Sequence, residues 1–144
     1  MENAPIMQRL LAAALIAVCT AGPAAQTRPP EIVALESSIA GREQQPAEQV
    51  FKNIQTFKGM PAIRVLRIME QAFVPNLGVS CSHCHVDKAW ESDEKPAKGI
   101  ARNMWTLRAQ WQEEVRKATG NAQATVTCYT CHKGQPKPAF APGR

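Results

Sequence analysis

The chain has 144 residues, a length suited to one domain, and a formal net charge of +5 from 17 Lys and Arg against 12 Asp and Glu. Its basic residues are scattered, with no basic run and no interleaving of basic and aromatic residues, which argues against a nucleic-acid partner and for an ordinary solvated surface. Five cysteines in so short a chain call for disulfides, metal ligation, thiol redox chemistry or attachment of a cofactor.

The first 25 residues predict a signal peptide: Arg9, an apolar run from Leu10 to Val18, then small residues ending at Ala24 and Ala25, where cleavage is expected. The run is too short for a confident membrane span, although an uncleaved anchor stays open. Cys19 read as a lipid acceptor is disfavoured, because Val18 stands where such sites want a small residue. Residues 26–46, bounded by prolines, predict a flexible leading segment with a helical turn or two. From Ala47, the residues Val50, Ile54 and Phe57 recur at helical spacing, with Pro46 at the start and Gly59 at the end. Pro61 opens a second helix whose stripe is Ala62, Val65, Leu66, Met69 and Phe73, and Pro75 and Gly78 are expected to stop it. A polar loop follows, and then a third helix places Ile100, Met104, Leu107, Trp111 and Val115 on one face before Gly120. The tail, residues 134–144, is proline-rich and predicts an extended segment without a core. No strand pattern of comparable strength appears, so the chain reads as all-α, with residues 47–133 as its domain. Three or four short helices bury little apolar surface, and so small a domain needs staples or a bulky apolar cofactor.

Two strings meet that need: "CSHCHV" at residues 81–86 and "CYTCHK" at 128–133. Each holds Cys-x-x-Cys-His, the attachment signature of c-type haem. On one helical turn, Cys81 and Cys84, or Cys128 and Cys131, can reach the two vinyl-derived positions of one porphyrin, while His85 or His132 points at the iron. Zinc ribbons space their cysteine pairs about 15–20 residues apart, whereas 43 residues separate Cys84 from Cys128. Zinc and disulfides both leave the two histidines unexplained, and a thioredoxin-like pair would want a βαβ setting that is missing. The two motifs therefore predict two covalently attached haem c groups.

What fills the sixth position of each iron decides between electron transfer and chemistry. Beyond the two proximal histidines only His83 remains, inside the first motif, where it reads as a partly exposed spacer. Met60 stands between Gly59 and Pro61 and reads as turn packing. Met69 lies 12 residues before Cys81 and Met104 lies 24 before Cys128, each on a helical apolar stripe. Core filling is the plain reading of such a methionine; the scarcity of other soft ligands makes both candidates for the distal position.

The strings "AEQVFKNIQTFKGMPAIRVLRIMEQAFVPNLGVSCSHCHV", "WESDEKPAKGIARNMWTLRAQ" and "VTCYTCHKG" resemble the cytochrome c subunit of photosynthetic reaction centres over about residues 47–137. The resemblance implies that a methionine on the helix preceding each motif is the distal ligand, so that Met69 pairs with His85 and Met104 with His132. That subunit carries four haems and this chain has two motifs; what is implied here is one haem pair in two related helix-and-motif units. The expected role is then a periplasmic electron carrier, not an enzyme. Its partners would be redox proteins such as a membrane-bound reaction centre, oxidase or reductase, reached directly or through an uncleaved N-terminus. Two other readings stay open: a dihaem enzyme such as a peroxidase, which needs an open distal site, and a subunit that stacks haems into a filament. Trp90, Trp105 and Trp111 are expected to pack on the porphyrins or in the core, and some of Arg64, Arg67, Lys98, Arg102 and Arg108 to face haem propionates.

Overall fold

Proline and glycine set most of the boundaries seen in the computed structural model, which describes residues 28–138. The expected leader, with its cleavage site and Cys19, and the tail from residue 139 lie outside the described residues. The architecture is helical, and among the described residues the only β features are isolated bridges at Pro46–Pro61 and Val86–Ala89.

The leading segment forms α1 (Pro30–Ser38), with Pro30 in its first turn, where a missing N–H costs nothing. It delivers Ile32 and, just past its end, Ile39, both buried. Arg28 fastens it by four hydrogen bonds of 2.6–2.9 Å, two to the Glu36 carboxylate and two to that of Glu70.

The helix expected from Ala47 to Phe57 is only α2 (Ala47–Val50). Phe51 turns extended and Asn53 takes a positive φ of 57°, so Phe51, Ile54 and Phe57 enter the interior from a series of turns. Their spacing is that of a helix because all three face the same interior, not because the backbone is helical. The Pro46–Pro61 bridge holds the start of α2 beside that of α3 (Ala62–Ile68), with Ala47 N–H on the Met60 carbonyl at 2.7 Å and Ala62 N–H on that of Gln45 at 2.9 Å.

Helix α3 runs on without a break through a π-helical turn, Met69–Phe73, into α4 (Val74–Leu77). Pro75 therefore does not stop the helix. It lacks an N–H, and its ring would press on the carbonyl of Gln71, so the turn ahead of it widens, and Val74 N–H bonds the Met69 carbonyl five residues back. Gly78, at φ 62°, ends α4.

The 24-residue α5 (Pro96–Thr119) has Pro96 at its start and Gly120 past its end, as its sequence suggests. Its apolar stripe does not face the core, however. Ile100, Met104, Trp111 and Val115 are exposed, and the residues it buries are Lys98 and Gln112, with Trp105 packed among Phe57 and Phe73. The last element, α6 (Cys128–His132), is capped by reciprocal bonding between Thr127 and Thr130. It packs on α4: Gly134 N–H bonds the Asn76 carbonyl at 3.1 Å, and the Gly134 carbonyl oxygen lies where a Cβ on Gly78 would have to be.

The core made by these elements is small. Two adjoining clusters, Ile39–Ala62–Leu66 and Ala47–Phe57–Val65, contain most of the buried apolar residues, and Ile39 is the one large side chain with under 2% exposure among the described residues. Among these residues no helix is long and apolar enough to cross a membrane.

Candidate haem centres

Beside the second core cluster the helices leave a cavity of about 430 Å³. Met69 reaches it from the π-helical turn, Cys81, Cys84 and His85 from the first motif, and Phe57, Phe73, Leu77, Val79 and Trp105 supply apolar walls. The four residues expected to serve one haem are thus brought to one mostly apolar space. The wider π-turn matters here, because it alters the register between the stripe of α3 and everything after Met69.

The first motif coils as a 3₁₀ turn, Cys81–His83, and His85 N–H bonds the Cys81 carbonyl at 3.0 Å, so the two thiols and the imidazole lie over one turn. Nδ1 of His85 is 3.0 Å from the Trp90 carbonyl oxygen. A carbonyl only accepts, so Nδ1 carries the hydrogen and Nε2 keeps its lone pair, as in ligating histidines whose second nitrogen is tied to a carbonyl. Burial pushes the imidazole below its ordinary pKa, against the pull of the Trp90 bond, and the charges of Lys98, Arg102 and Lys95 add to the lowering. At neutral pH the ring is neutral, the form that binds a metal.

The second motif is α-helical, yet its histidine is held in the same way, with Nδ1 of His132 3.0 Å from the Gln135 carbonyl oxygen. Gln135 belongs to the tail, whose first residues are thereby part of the site. Cys128 and Cys131 are half-buried. Nearby, Arg108 lies over the Trp105 ring, 4.9 Å from its centroid, and donates to the Val126 carbonyl at 3.2 Å. Its Nε is buried with no hydrogen-bond partner, which suits an anionic group such as a propionate. Met104 does not line the cavity of the first set; it lies on the outer face of α5, 36% exposed. The second set is accordingly less enclosed than the first.

These residues fit haem better than the alternatives. All four cysteines are free, and burial pushes the thiols of Cys81, Cys84 and Cys128 up, contrary to the activated thiolate of a dithiol catalyst. No three His, Cys, Asp or Glu side chains converge on a metal position among the described residues. What the motifs do offer is an apolar wall, paired thiols and an imidazole with its free nitrogen preset.

Of the other expected residues, Lys98 and Arg102 line the cavity, where both engage Asp93, at 3.1 and 3.0 Å. Arg67 lines a separate hollow of about 890 Å³ with Arg28, Glu36 and Glu70, to which neither motif contributes a residue, and Arg64 is exposed. Trp105 combines the two roles considered for it, core aromatic and cavity wall; Trp90 also lines the cavity, and Trp111 is 45% exposed. His83 is exposed, in keeping with a spacer. The carbonyls of Trp90 and Gln135 carried no sequence signal, since any residue supplies one.

A family model, "Photosynthetic reaction centre cytochrome C subunit", matches residues 18–141. Similar proteins include the photosynthetic reaction center cytochrome c subunit of Thermochromatium tepidum, 33% identical over 102 residues, covering 66% of this chain and 23% of that protein. Cytochrome c-554 of Chloroflexus aurantiacus is 36% identical over 85 residues, 58% of this chain and 20% of that protein. The reaction center cytochrome c subunit of Rubrivivax gelatinosus is 30% identical over 121 residues, 79% of this chain and 31% of that protein. The chain thus spans about a third or less of the length of these relatives.

Proposed function

Given that the chain belongs to the photosynthetic reaction centre cytochrome c subunit family, we propose that it is a dihaem c-type cytochrome of the periplasm that passes single electrons between redox proteins. Cleavage after Ala24 or Ala25 would release it there, and residues 47–133 would form the haem-bearing domain. Cys81, Cys84 and His85 with Met69 would hold one haem, and Cys128, Cys131 and His132 with Met104 the other. Bound there, haem c supplies a one-electron iron couple, which a methionine ligand places at higher potential than a second histidine would.

The observation that carries this reading is the meeting of Met69, Cys81, Cys84 and His85 on one apolar cavity, with the Nδ1 of His85 fixed on the Trp90 carbonyl. The protein's own task is to orient: the backbone carbonyls of Trp90 and Gln135 fix the two imidazoles, and the aromatic walls exclude water. With a thioether and an imidazole at each iron, neither would leave room for oxygen or peroxide. The partners would be a membrane-bound reaction centre, oxidase or reductase.

The exposure of Met104 favours one second reading, a dihaem enzyme with an open site at His132. Carbon monoxide separates the two. Protein matured in a periplasm with haem-attachment machinery should exceed the polypeptide mass by two haems, and its reduced spectrum should not change when carbon monoxide is added. Prompt binding by one haem would move the assignment to the enzyme, and no covalent haem would remove both readings.

A further inference from the structure

The Trp90 carbonyl accepts two hydrogen bonds. One comes from Nδ1 of His85 at 3.0 Å, the other from Nζ of Lys98 at 2.9 Å. An ammonium has three donors, and Lys98 places all of them: on the Trp90 carbonyl, on the Ser92 carbonyl at 2.8 Å, and on Asp93 Oδ1 at 3.1 Å. Its side chain is 10% exposed, on a helix face that otherwise meets the cavity of the first site. Asp93, itself exposed, also binds Arg102 at 3.0 Å, so the cluster is two cations on one carboxylate. The lysine is thus buried and fixed one carbonyl away from the imidazole.

From this geometry we infer that Lys98 is a positioning and tuning residue that raises the reduction potential of the site at His85, acting through the shared Trp90 carbonyl and through its buried charge. This rests on His85 being a haem ligand. A carbonyl already polarised by an ammonium is a weaker acceptor for Nδ1–H. The imidazole then keeps less anionic character and donates less electron density at Nε2. The cation also disfavours the added positive charge of the oxidised site, so both effects have the same sign. No bond is made or broken: one electron enters from a donor protein and leaves to an acceptor, and Lys98 alters only the balance between the two states.

Redox titration of the full dihaem protein tests this, comparing wild type with Lys98→Met, Lys98→Gln and Asp93→Asn. In both Lys98 variants one of the two titrating components should move to lower potential, with the oxidised-to-reduced ratio at fixed applied potential rising about tenfold, equivalent to about 59 mV for a one-electron couple. The Nδ1–H proton resonance of His85 should move downfield as its hydrogen bond strengthens. Asp93→Asn leaves Lys98 and Arg102 uncompensated and should move the same component upward. Unchanged potentials in both Lys98 variants, equal shifts of both components, or shifts of the same sign in the lysine and aspartate variants would overturn the inference while leaving the haem assignment standing. A chain that takes up no haem at Cys81 and Cys84 would instead overturn the assignment itself.

Discussion

His85 and His132 show how much of a candidate haem site is set by atoms that have no side-chain identity. Both histidines, and the cysteines before them, were legible because Cys-x-x-Cys-His has a chemical reason for each position. The carbonyls that fix the rings belong to Trp90 and Gln135, five and three residues on, and backbone acceptors leave no trace in a sequence. Met69 could be singled out only by elimination and by resemblance; the structure adds that it lines the same cavity as the three motif residues. Replacing Met69 with Ala should cost about 2 kcal/mol of stability, as truncation of a partly buried methionine does, and should let the reduced protein bind carbon monoxide at one haem. Met104→Ala should open the other haem at smaller cost to the melting temperature, since its side chain is the more exposed. Optical titration with carbon monoxide and thermal melts of the two variants check both; a closed spectrum in either would mean that its methionine is not the ligand.

Among the elements, the long helices were readable and the short ones were not. The range of α5 follows from Pro96 and Gly120, but its outward stripe does not, because periodicity says that a face is apolar and not what covers it. The π-helical turn at Met69–Phe73 answers to Pro75, a residue that sequence rules read as a stop. Glycines past helix ends give a paired test. Gly78 and Gly120 share φ 62°, but a side chain at Gly78 would strike the Gly134 carbonyl whereas Gly120 has open space. Gly120→Ala should therefore cost only the left-handed strain, about 1 kcal/mol, and Gly78→Ala clearly more, with melting temperatures ranking the two. Arg28 holds Glu36 and Glu70 below their ordinary pKa by hydrogen bonding to both carboxylates. Because these pKa values are depressed in the folded state, the stabilisation is complete above the ordinary carboxylate range, near pH 4.3, and disappears as pH falls through the folded values. The melting-temperature gap between wild type and Arg28→Ala should thus be widest near neutral pH and should close in acid; a gap independent of pH would assign Arg28 a packing role instead.

On the scale of the molecule, the all-α class was readable because nothing in the pattern competes with helix, and the poverty of the core was readable from the short helices. The structure bears this out in Ile39, the one large and fully buried side chain among the described residues, and in an apolar face of α5 left open to solvent. A chain with alanine in place of Cys81, Cys84, Cys128 and Cys131 should show weaker helical circular dichroism and no cooperative melt; a sharp transition would mean that the helices suffice by themselves. The contact between Gly78 and Gly134 has a different kind of consequence. It joins the segment just before the first motif to the residue just after the second, main chain to main chain, so this link between the two motifs does not rest on the identity of the side chains that line either cavity wall. On the proposed dihaem reading, sequences that differ at two positions in three, as the relatives named above do, can diverge in the walls of each site without touching this contact, so that each potential would shift by itself while the spacing of the two motifs is kept.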